Sequence, residues 1–231
     1  SALQLLAHAF YLQDLLGYEA LSAGIWYLAV DFQLFILVLA VSAGVRGALS
    51  RGSFDATTTD IATRAVFGAL GAASLFWFNR DAAFDHWAVY FFGSYFLGML
   101  LRWTLAGSSA PWVLAGYLAM IVAALAIDWR PRLLVAALTA VIIVLAAHRR
   151  VLQRWPDNAM VAYLGRISFS LFLVHFPICL VVNAWFSRLP LSPLQSWLAM
   201  GFAYVASLAV AVVFHHYVEA PFQRMGAAQR V

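Results

Sequence analysis

Long runs of apolar residues, separated by short polar segments, dominate the sequence. These runs predict seven helices that cross a bilayer, because about 20 helical residues span its ~30 Å hydrocarbon core. Prolines lie in several of the connections, as expected where helices end. The pattern therefore predicts an all-α fold, a polytopic transmembrane helix bundle. The predicted spans are about 24–44, 62–79, 84–101, 109–127, 133–147, 167–186 and 194–216.

Two stretches do not fit the spanning pattern. Residues 1–20 are apolar, but His8, Gln13, Asp14 and Glu19 interrupt the run. They predict an interfacial or re-entrant helix. The longest polar stretch, residues 51–60, predicts a mobile cytoplasmic loop.

The composition agrees with a single membrane-embedded domain. Hydrophobic residues make up 65% of the 231 residues and charged residues only 10%, whereas a soluble domain carries about 25% charge. Nothing in the sequence suggests a nucleic-acid site, and membrane lipid is the expected surrounding partner. The single cysteine, Cys179, cannot form an internal disulfide and is interpreted as a small packing residue.

All the basic residues are arginines, and their placement predicts the topology. Ten of them fall on one predicted side and four on the other, and the arginine-rich side is cytoplasmic. The N-terminus is therefore predicted outside and the C-terminus in the cytoplasm. The ten are Arg46, Arg51, Arg64, Arg102, Arg149, Arg150, Arg154, Arg166, Arg224 and Arg230, and the four are Arg80, Arg130, Arg132 and Arg188.

A histidine lies near the middle of the sixth predicted span. An ionisable group at that depth is costly, so His175 is a functional candidate that faces other helices or a wet cavity. Pro177 follows it and removes a backbone donor. Ser168 and Ser170 are predicted to satisfy the backbone groups freed nearby. The alternative reading of His175 is a packed, hydrogen-bonded side chain beside a kink.

An aspartate lies about seven residues inside the first predicted span. Asp31 needs a donor or a proton there, because an unpaired carboxylate is expensive in lipid. It is a second candidate for chemistry, and the alternative is a carboxyl group that locks two helices together. Gln33 is predicted to face a different side of the helix. Close helix packing is predicted at Gly68, Gly71, Gly93 and Gly98.

Two polar clusters are predicted at the cytoplasmic ends of spans. His215 and Glu219 are four positions apart and share a helix face, and His216 lies next to His215. No metal is predicted there, since the spacing is not a zinc-protease pattern, and a structural role is favoured. Arg149 and Arg150 form a basic pair. It is read either as a topology signal that touches anionic lipid or as a site for a phosphate-rich molecule such as coenzyme A.

Three stretches together resemble the membrane acyltransferase 3 family. Residues 26–35, Trp-Tyr-Leu-Ala-Val-Asp-Phe-Gln-Leu-Phe, resemble its Trp-x-Leu-x-x-Glu-x-x-Phe-Tyr motif. Residues 164–175, Leu-Gly-Arg-Ile-Ser-Phe-Ser-Leu-Phe-Leu-Val-His, are similar to its Leu-Gly-x-x-Ser-Tyr-Ser-Leu-Tyr-Leu-x-His stretch. Residues 218–222, Val-Glu-Ala-Pro-Phe, are similar to its closing Glu-x-Pro-Phe. Asp31 replaces the usual Glu, and Phe169 and Phe172 replace tyrosines.

The resemblance implies an O-acyltransferase of the bacterial inner membrane. Such enzymes take an acyl group, often acetyl, from acyl-CoA and pass it to a hydroxyl of a sugar or glycan-like acceptor. His175 and Asp31 are then the expected catalytic residues, with His175 supporting or positioning. The expected substrate-binding residues are Trp26, Arg166, Ser168, Glu219, Arg149 and Arg150.

The resemblance also implies about three further spans at the N-terminal side. The family has about ten spans and carries its main catalytic His and an Arg on the first, and neither matches a motif in this sequence. A competing interpretation is a catalytically inactive, acyltransferase-like scaffold subunit of a larger membrane complex, in contact with other membrane subunits. A transporter is less favoured, because paired broken helices in matching halves are lacking.

Overall fold

A computed structural model describes residues 2–13, 15–18, 23–50, 52, 54–151, 158–190 and 192–228. Within these ranges the regular secondary structure is helical, and no strand occurs. The predicted all-α class is therefore confirmed.

The helices follow the predicted apolar runs. The seven long helices, α2 to α8, each overlap one predicted span. Two short 3₁₀ turns, Phe78–Arg80 and Ala82–Phe84, connect α3 to α4, and a π-helical segment, His215–Glu219, joins α8 to α9. The helices are α1 (Ala2–Ala9), α2 (Ala23–Leu49), α3 (Ala56–Phe76), α4 (Ala88–Leu105), α5 (Pro111–Ile127), α6 (Pro131–His148), α7 (Ala159–Phe186), α8 (Pro193–Phe214) and α9 (Ala220–Ala228).

Five helical segments of the described chain are long and apolar enough to cross a bilayer. The helix α5 is also apolar but has only 17 residues. The fold is thus that of a helical membrane bundle, and the number of seven spans and their orientation stay predictions. The five segments are Trp26–Leu49, Ala56–Arg80, Pro131–His148, Ala159–Phe186 and Pro193–Met225.

The predicted polar loop over residues 51–60 is wrong in its second half, because α3 begins at Ala56. The side chain of Asp55 caps this helix and accepts a hydrogen bond of 2.9 Å from the Thr58 backbone N–H. Hydrogen bonds from Thr58 also hold the pKa of the Asp55 carboxyl below its usual range. Such a cap satisfies one of the free donors at a helix start, so the helix extends beyond its apolar part.

The chain divides into two compact units. The first comprises Ser1–Glu19 and Tyr27–Trp155, and the second comprises Ala20–Trp26 and Pro156–Val231. In the first unit, α4 packs against α3, α5 and α6. In the second unit, α7 packs along α8, and the π-helical segment contacts both.

Two of the four predicted glycine contacts are present in the first unit. A Cβ atom at Gly71 would lie 2.8 Å from the Tyr117 hydroxyl, and one at Gly93 would lie 2.9 Å from Leu75. A side chain at either position would clash with the neighbouring helix, so glycine permits the close packing seen there. The prediction is wrong for Gly98, where a Cβ would meet nothing within 4 Å, and Gly68 makes only an ordinary contact of 3.8 Å.

A buried arginine joins the ends of three helices in the first unit. Arg130, only 8% exposed, precedes α6, and its guanidinium donates to the Leu75 carbonyl of α3 at 2.9 Å and to the Ala124 carbonyl of α5 at 3.3 Å. It also donates to Asn79 Oδ1 at 2.9 Å. The last carbonyls of a helix lack partners within it. Arg130 supplies a donor to the Leu75 carbonyl of α3 and a second donor to the Ala124 carbonyl of α5, which also accepts from the Asp128 N–H at 3.0 Å.

Further buried hydrogen bonds extend this network to α4. Asn79 and Ser74 both donate to the Tyr90 carbonyl, at 2.8 Å and 3.2 Å, and Ser74 accepts from the Gly93 N–H at 2.9 Å. The Tyr117 hydroxyl donates to the Gly93 carbonyl at 2.9 Å. Buried polar groups are costly unless paired, so this network fixes how α3, α4 and α5 pack.

Gln33 fastens α2 to the start of α4. Its Nε2 donates to the His86 carbonyl at 3.1 Å, and its Oε1 accepts from the Ala88 N–H at 3.0 Å. One amide thus pairs with both a carbonyl and one of the free donors of the first turn of α4. The inter-helix lock that the sequence suggested for Asp31 is made instead by Gln33.

Replacing Gln33 with leucine should lower the free energy of unfolding by about 1–2 kcal/mol, because two backbone groups lose their partner at similar side-chain volume. The measurement is thermal unfolding of the purified protein in detergent. Gln33→Glu keeps the acceptor and loses the donor, so it should lie between the wild type and Gln33→Leu. Equal midpoints for all three proteins would contradict the assigned role of Gln33.

Candidate functional site

His175 lines a groove between α7 and α8 in the second unit. The groove has a volume of about 470 Å³. It is mainly apolar, and α7 contributes Ser168, Phe172 and His175. From α8 come Met200, Tyr204 and Ser207. A space of this size within the span accommodates part of a substrate.

The hydrogen bonds of His175 define which ring nitrogen is available. Its Nδ1 lies 2.8 Å from the Phe172 carbonyl oxygen and 3.1 Å from that of Leu171. Because a carbonyl oxygen only accepts, Nδ1 carries the hydrogen in these contacts. Within the described part of the chain, no group hydrogen-bonds Nε2. A neutral imidazole held in this way presents an unprotonated Nε2, which can accept a hydrogen bond or a proton.

The serines of α7 do not compensate for Pro177, contrary to the prediction. The Ser168 hydroxyl donates to the Gly165 carbonyl at 2.7 Å, and the Ser170 hydroxyl donates to the Glu219 carboxylate. Neither reaches the Leu173 carbonyl, which would pair with an N–H at position 177. The helix α7 nevertheless continues through Pro177 as far as Phe186.

Cys179 and Tyr204 are two further reactive or polar side chains of the groove. Cys179 is exposed and lines the groove on the same helix as His175, so its predicted role as a packing residue is wrong. The Tyr204 hydroxyl has no hydrogen-bond partner among the residues described. Ser207 is buried and donates to the Ala203 carbonyl of its own helix at 2.7 Å, so Tyr204 is the freer donor.

Glu219 joins the π-helical segment to α7. Its Oε2 accepts from the Ser170 hydroxyl and lies 3.0 Å from His215 Nδ1, and its Oε1 accepts from Gln223 at 2.8 Å. His215 and Glu219 therefore do share a helix face, as predicted. All these contacts are internal, so the observed role of Glu219 is to fasten α7 to the end of α8. Substrate binding by Glu219 stays a prediction.

The described residues near Glu219 and His215 form no metal site. Across the described ranges, no cluster of three or more His, Cys, Asp and Glu side chains could hold a metal ion. The His215–Glu219 pair is instead an ion pair whenever His215 is protonated.

Asp31 lies in a separate pocket of the first unit, while His175 belongs to the second. The pocket has a volume of about 280 Å³, and Tyr11, Phe32 and Tyr95 line it together with Asp31. The carboxylate makes no hydrogen bond or ion pair with any residue that the structure describes. The cavity that the sequence suggested for Asp31 and His175 together stays a prediction.

The predicted basic pair lies at the end of α6, and both arginines are exposed. Arg149 caps the helix, and its N–H donates to the Leu145 carbonyl at 2.9 Å. Arg150 has a φ of 54°, a left-handed conformation that favours glycine. A non-glycine residue in this region is uncommon and marks a position where a side chain is retained at some cost.

The two remaining candidates lie on the long helices. Trp26 is half-buried in the first turn of α2. Arg166 is exposed on α7, two residues before Ser168. Of the predicted residues, the structure therefore brings together Ser168 and His175 in one groove, and Asp31 belongs to another pocket.

Comparison with known proteins gives the chain a family. A family model described as an acyltransferase domain matches residues 5–216. The chain belongs to the acyltransferase 3 family. The acyltransferase domain and the apolar helices together indicate an integral membrane acyltransferase. No curated protein and no solved structure matches the chain at a significant level.

The matched range contains two of the three motifs of the acyltransferase 3 domain. Both the stretch with Asp31 and the stretch with His175 fall inside it. It ends at His216, just before Glu219. Glu219 belongs to the third motif and accepts a hydrogen bond from Ser170 of the second motif. Glu219 therefore holds these two parts of the chain together.

Sequence reasoning missed Tyr204, Tyr11 and Tyr95. Each is a tyrosine within or beside an apolar stretch, and a hydroxyl in lipid needs a partner. This need for a hydrogen-bond partner is the sequence signal that could have identified the three tyrosines. Their spacing carries no motif, so only the fold shows which of them share a pocket with Asp31 or His175.

Proposed function

We propose that this chain is an O-acyltransferase that moves an acyl group, most simply acetyl, from acyl-CoA to a hydroxyl of a sugar or glycan-like acceptor. The observation that carries the proposal is the orientation of His175. Its Nδ1 is held by two backbone carbonyls, which leaves Nε2 as an acceptor in a substrate-sized groove. Acyl transfer to a hydroxyl requires such a group.

In the proposed reaction, the acceptor hydroxyl donates a hydrogen bond to His175 Nε2. The hydroxyl oxygen attacks the acyl carbonyl carbon, and a C–O bond forms while the C–S bond to coenzyme A breaks. The hydroxyl proton passes to Nε2 and then to the departing thiolate. The Tyr204 hydroxyl lines the same groove and is suited to donate to the carbonyl oxygen as negative charge develops on it.

Arg149 and Arg150 are proposed to bind the phosphates of acyl-CoA. Guanidinium groups form strong, paired hydrogen bonds with phosphate oxygens. The predicted topology places both arginines on the cytoplasmic side, where acyl-CoA is found. This arrangement supports a location in the bacterial inner membrane, with the donor supplied from the cytoplasm.

The direct test is transfer of a labelled acetyl group from acetyl-CoA. The full chain is reconstituted in vesicles with cell-envelope glycans as acceptors, and label in the glycan fraction is measured. Alkaline hydroxylamine should release the label, as expected of an ester. Absence of transfer at all donor concentrations, by a folded protein, would favour the scaffold-subunit interpretation.

Replacing Arg150 with glycine tests whether this residue binds acyl-CoA, because the substitution should change the KM and the thermal stability independently. Glycine adopts the left-handed conformation freely, so the thermal midpoint should rise by about 2–4 °C, for about 1 kcal/mol of relieved strain. The KM for acetyl-CoA should nevertheless rise about tenfold, since one charged phosphate contact is lost. A higher midpoint with an unchanged KM would show that Arg150 does not bind the donor.

A further inference from the structure

The pocket around Asp31 combines aromatic rings with free polar groups. Three segments meet there, because Tyr11 follows α1, Asp31 and Phe32 lie on α2, and Tyr95 lies on α4. The rings of Tyr11 and Phe32 are 5.8 Å apart at an angle of 47°. Rings at this separation pack against each other, and both line the pocket.

Tyr11 occupies a backbone position that normally requires glycine. Its φ is 57°. The Tyr11 N–H donates to the His8 carbonyl at 3.2 Å, and the Leu12 N–H donates to the Ala7 carbonyl at 2.8 Å. This pair of bonds is the Schellman motif that ends a helix, in which the left-handed residue is usually glycine.

The same chain shows the ordinary form of this motif at the end of α4. Gly107 has a φ of 71°. Its N–H donates to the Thr104 carbonyl at 3.1 Å, and the Ser108 N–H donates to the Trp103 carbonyl at 2.9 Å. Tyr11 thus holds a strained conformation where glycine would relieve it. Strain of this kind is retained where a side chain has a task, and the ring of Tyr11 is in the pocket.

The polar groups of the pocket have no hydrogen-bond partners among the described residues. Among the residues that the structure describes, none hydrogen-bonds the Asp31 carboxylate or the hydroxyls of Tyr11 and Tyr95. A carboxylate in an apolar helix is costly without a donor. The pocket therefore offers one strong acceptor, two hydroxyls and aromatic faces to a ligand that carries hydroxyl groups and an apolar face.

We infer that this pocket binds one sugar ring, and that the ring belongs to the acceptor, a point which rests on the proposed function. A pyranose has a face of C–H groups that packs against aromatic rings and a rim of hydroxyls that donate to a carboxylate. The volume of about 280 Å³ lies just below the range of drug-sized sites. The inference assigns recognition of the sugar to Tyr11, Phe32, Tyr95 and Asp31, and Asp31 was predicted from the sequence as a catalytic residue.

Binding is tested directly with simple sugars, without acyl transfer. Methyl glucoside, methyl galactoside and methyl N-acetylglucosaminide are added to the full chain in nanodiscs. Saturation-transfer NMR then measures which ligand protons contact the protein. Cyclohexanol, a ring with one hydroxyl, is the comparison ligand. At least one glycoside should bind with saturation of its ring C–H protons, and cyclohexanol should bind more weakly.

Variants then locate the site. Tyr11→Gly should weaken glycoside binding about tenfold while its thermal midpoint rises, because the strain is relieved. Asp31→Asn should weaken binding by a similar factor, since a charged acceptor is lost. Tyr11→Phe keeps the ring and loses only the hydroxyl, so it should weaken binding less than Tyr11→Gly. Trp112→Ala, which removes a 75% exposed ring elsewhere on the first unit, should have no effect.

Three results would overturn the inference. They are equal binding by wild type and Tyr11→Gly, binding of cyclohexanol as tight as that of every glycoside, and no glycoside binding to a folded wild-type protein. A failure of the proposed function looks different. In that case glycoside binding depends on Tyr11 and Asp31 as described, but no acyl group is transferred from acetyl-CoA.

Discussion

Replacing His175 with glutamine is expected to lower kcat/KM for acyl transfer at least about 100-fold. Glutamine can still hydrogen-bond to a backbone carbonyl, and its size is close to that of histidine. It cannot take a proton from the acceptor hydroxyl. The loss should appear mainly in kcat, because the group is needed as the hydroxyl oxygen attacks. The measurement is initial-rate kinetics with labelled acetyl-CoA in vesicles.

A matched control distinguishes this role from a general effect of replacing a histidine. His216→Gln makes the same chemical change at an exposed histidine that does not line the groove, so it should keep the wild-type rate. A His175→Gln protein that retains the wild-type rate would exclude the proposed role.

The membrane architecture could be predicted because the bilayer restricts the chain so strongly. Every backbone group in lipid must be paired internally, so long apolar runs become helices. Each predicted span overlaps one of the helices α2 to α8. The start of α3 was missed because Asp55 caps it through a local side-chain bond, and hydropathy does not register such bonds.

The pairing of polar groups between helices could not be predicted. Gln33 and Asp31 are two residues apart, and from the sequence Asp31 is the more conspicuous group. The structure shows that Gln33 makes the inter-helix bonds, because its amide matches the carbonyl of His86 and the N–H of Ala88. Which polar residue meets a helix end depends on the packing of distant segments, and 55 residues separate Gln33 from Ala88.

The strained positions of the candidate sites were also beyond sequence reasoning. A helix end with glycine, as at Gly107, is recognisable from residue type. Tyr11 and Arg150 adopt the same conformation without glycine, so the sequence gives no sign of it. Arg150 was proposed from its charge alone, and the structure adds that its conformation is costly. Tyr11 had no sequence argument, and only its φ and its pocket draw attention to it.

Replacing Arg130 with alanine should destabilise the first unit by about 3 kcal/mol or more. The guanidinium pairs with the Leu75 and Ala124 carbonyls and with Asn79 Oδ1. The Ala124 carbonyl keeps its bond from the Asp128 N–H, but the Leu75 carbonyl and Asn79 Oδ1 lose the donor that Arg130 supplies. A buried acceptor left without a donor costs about 1–3 kcal/mol. For a chain of this size the thermal midpoint should fall by about 10 °C, measured for the purified protein in detergent.

Arg132→Ala provides the matched control for Arg130→Ala. Arg132 lies two residues further along, at the start of α6, and is exposed. It bonds to the Tyr90 hydroxyl and lies 5.1 Å above that ring. A part-buried contact of this kind contributes about 1 kcal/mol, so its midpoint should fall by no more than about 4 °C. Arg130→Lys tests the geometry, because one ammonium cannot reach three acceptors on separate segments, and most of the loss should remain. Similar midpoints for Arg130→Ala and Arg132→Ala would mean that charge near α6, and not the pairing of buried helix ends, sets the stability of this unit.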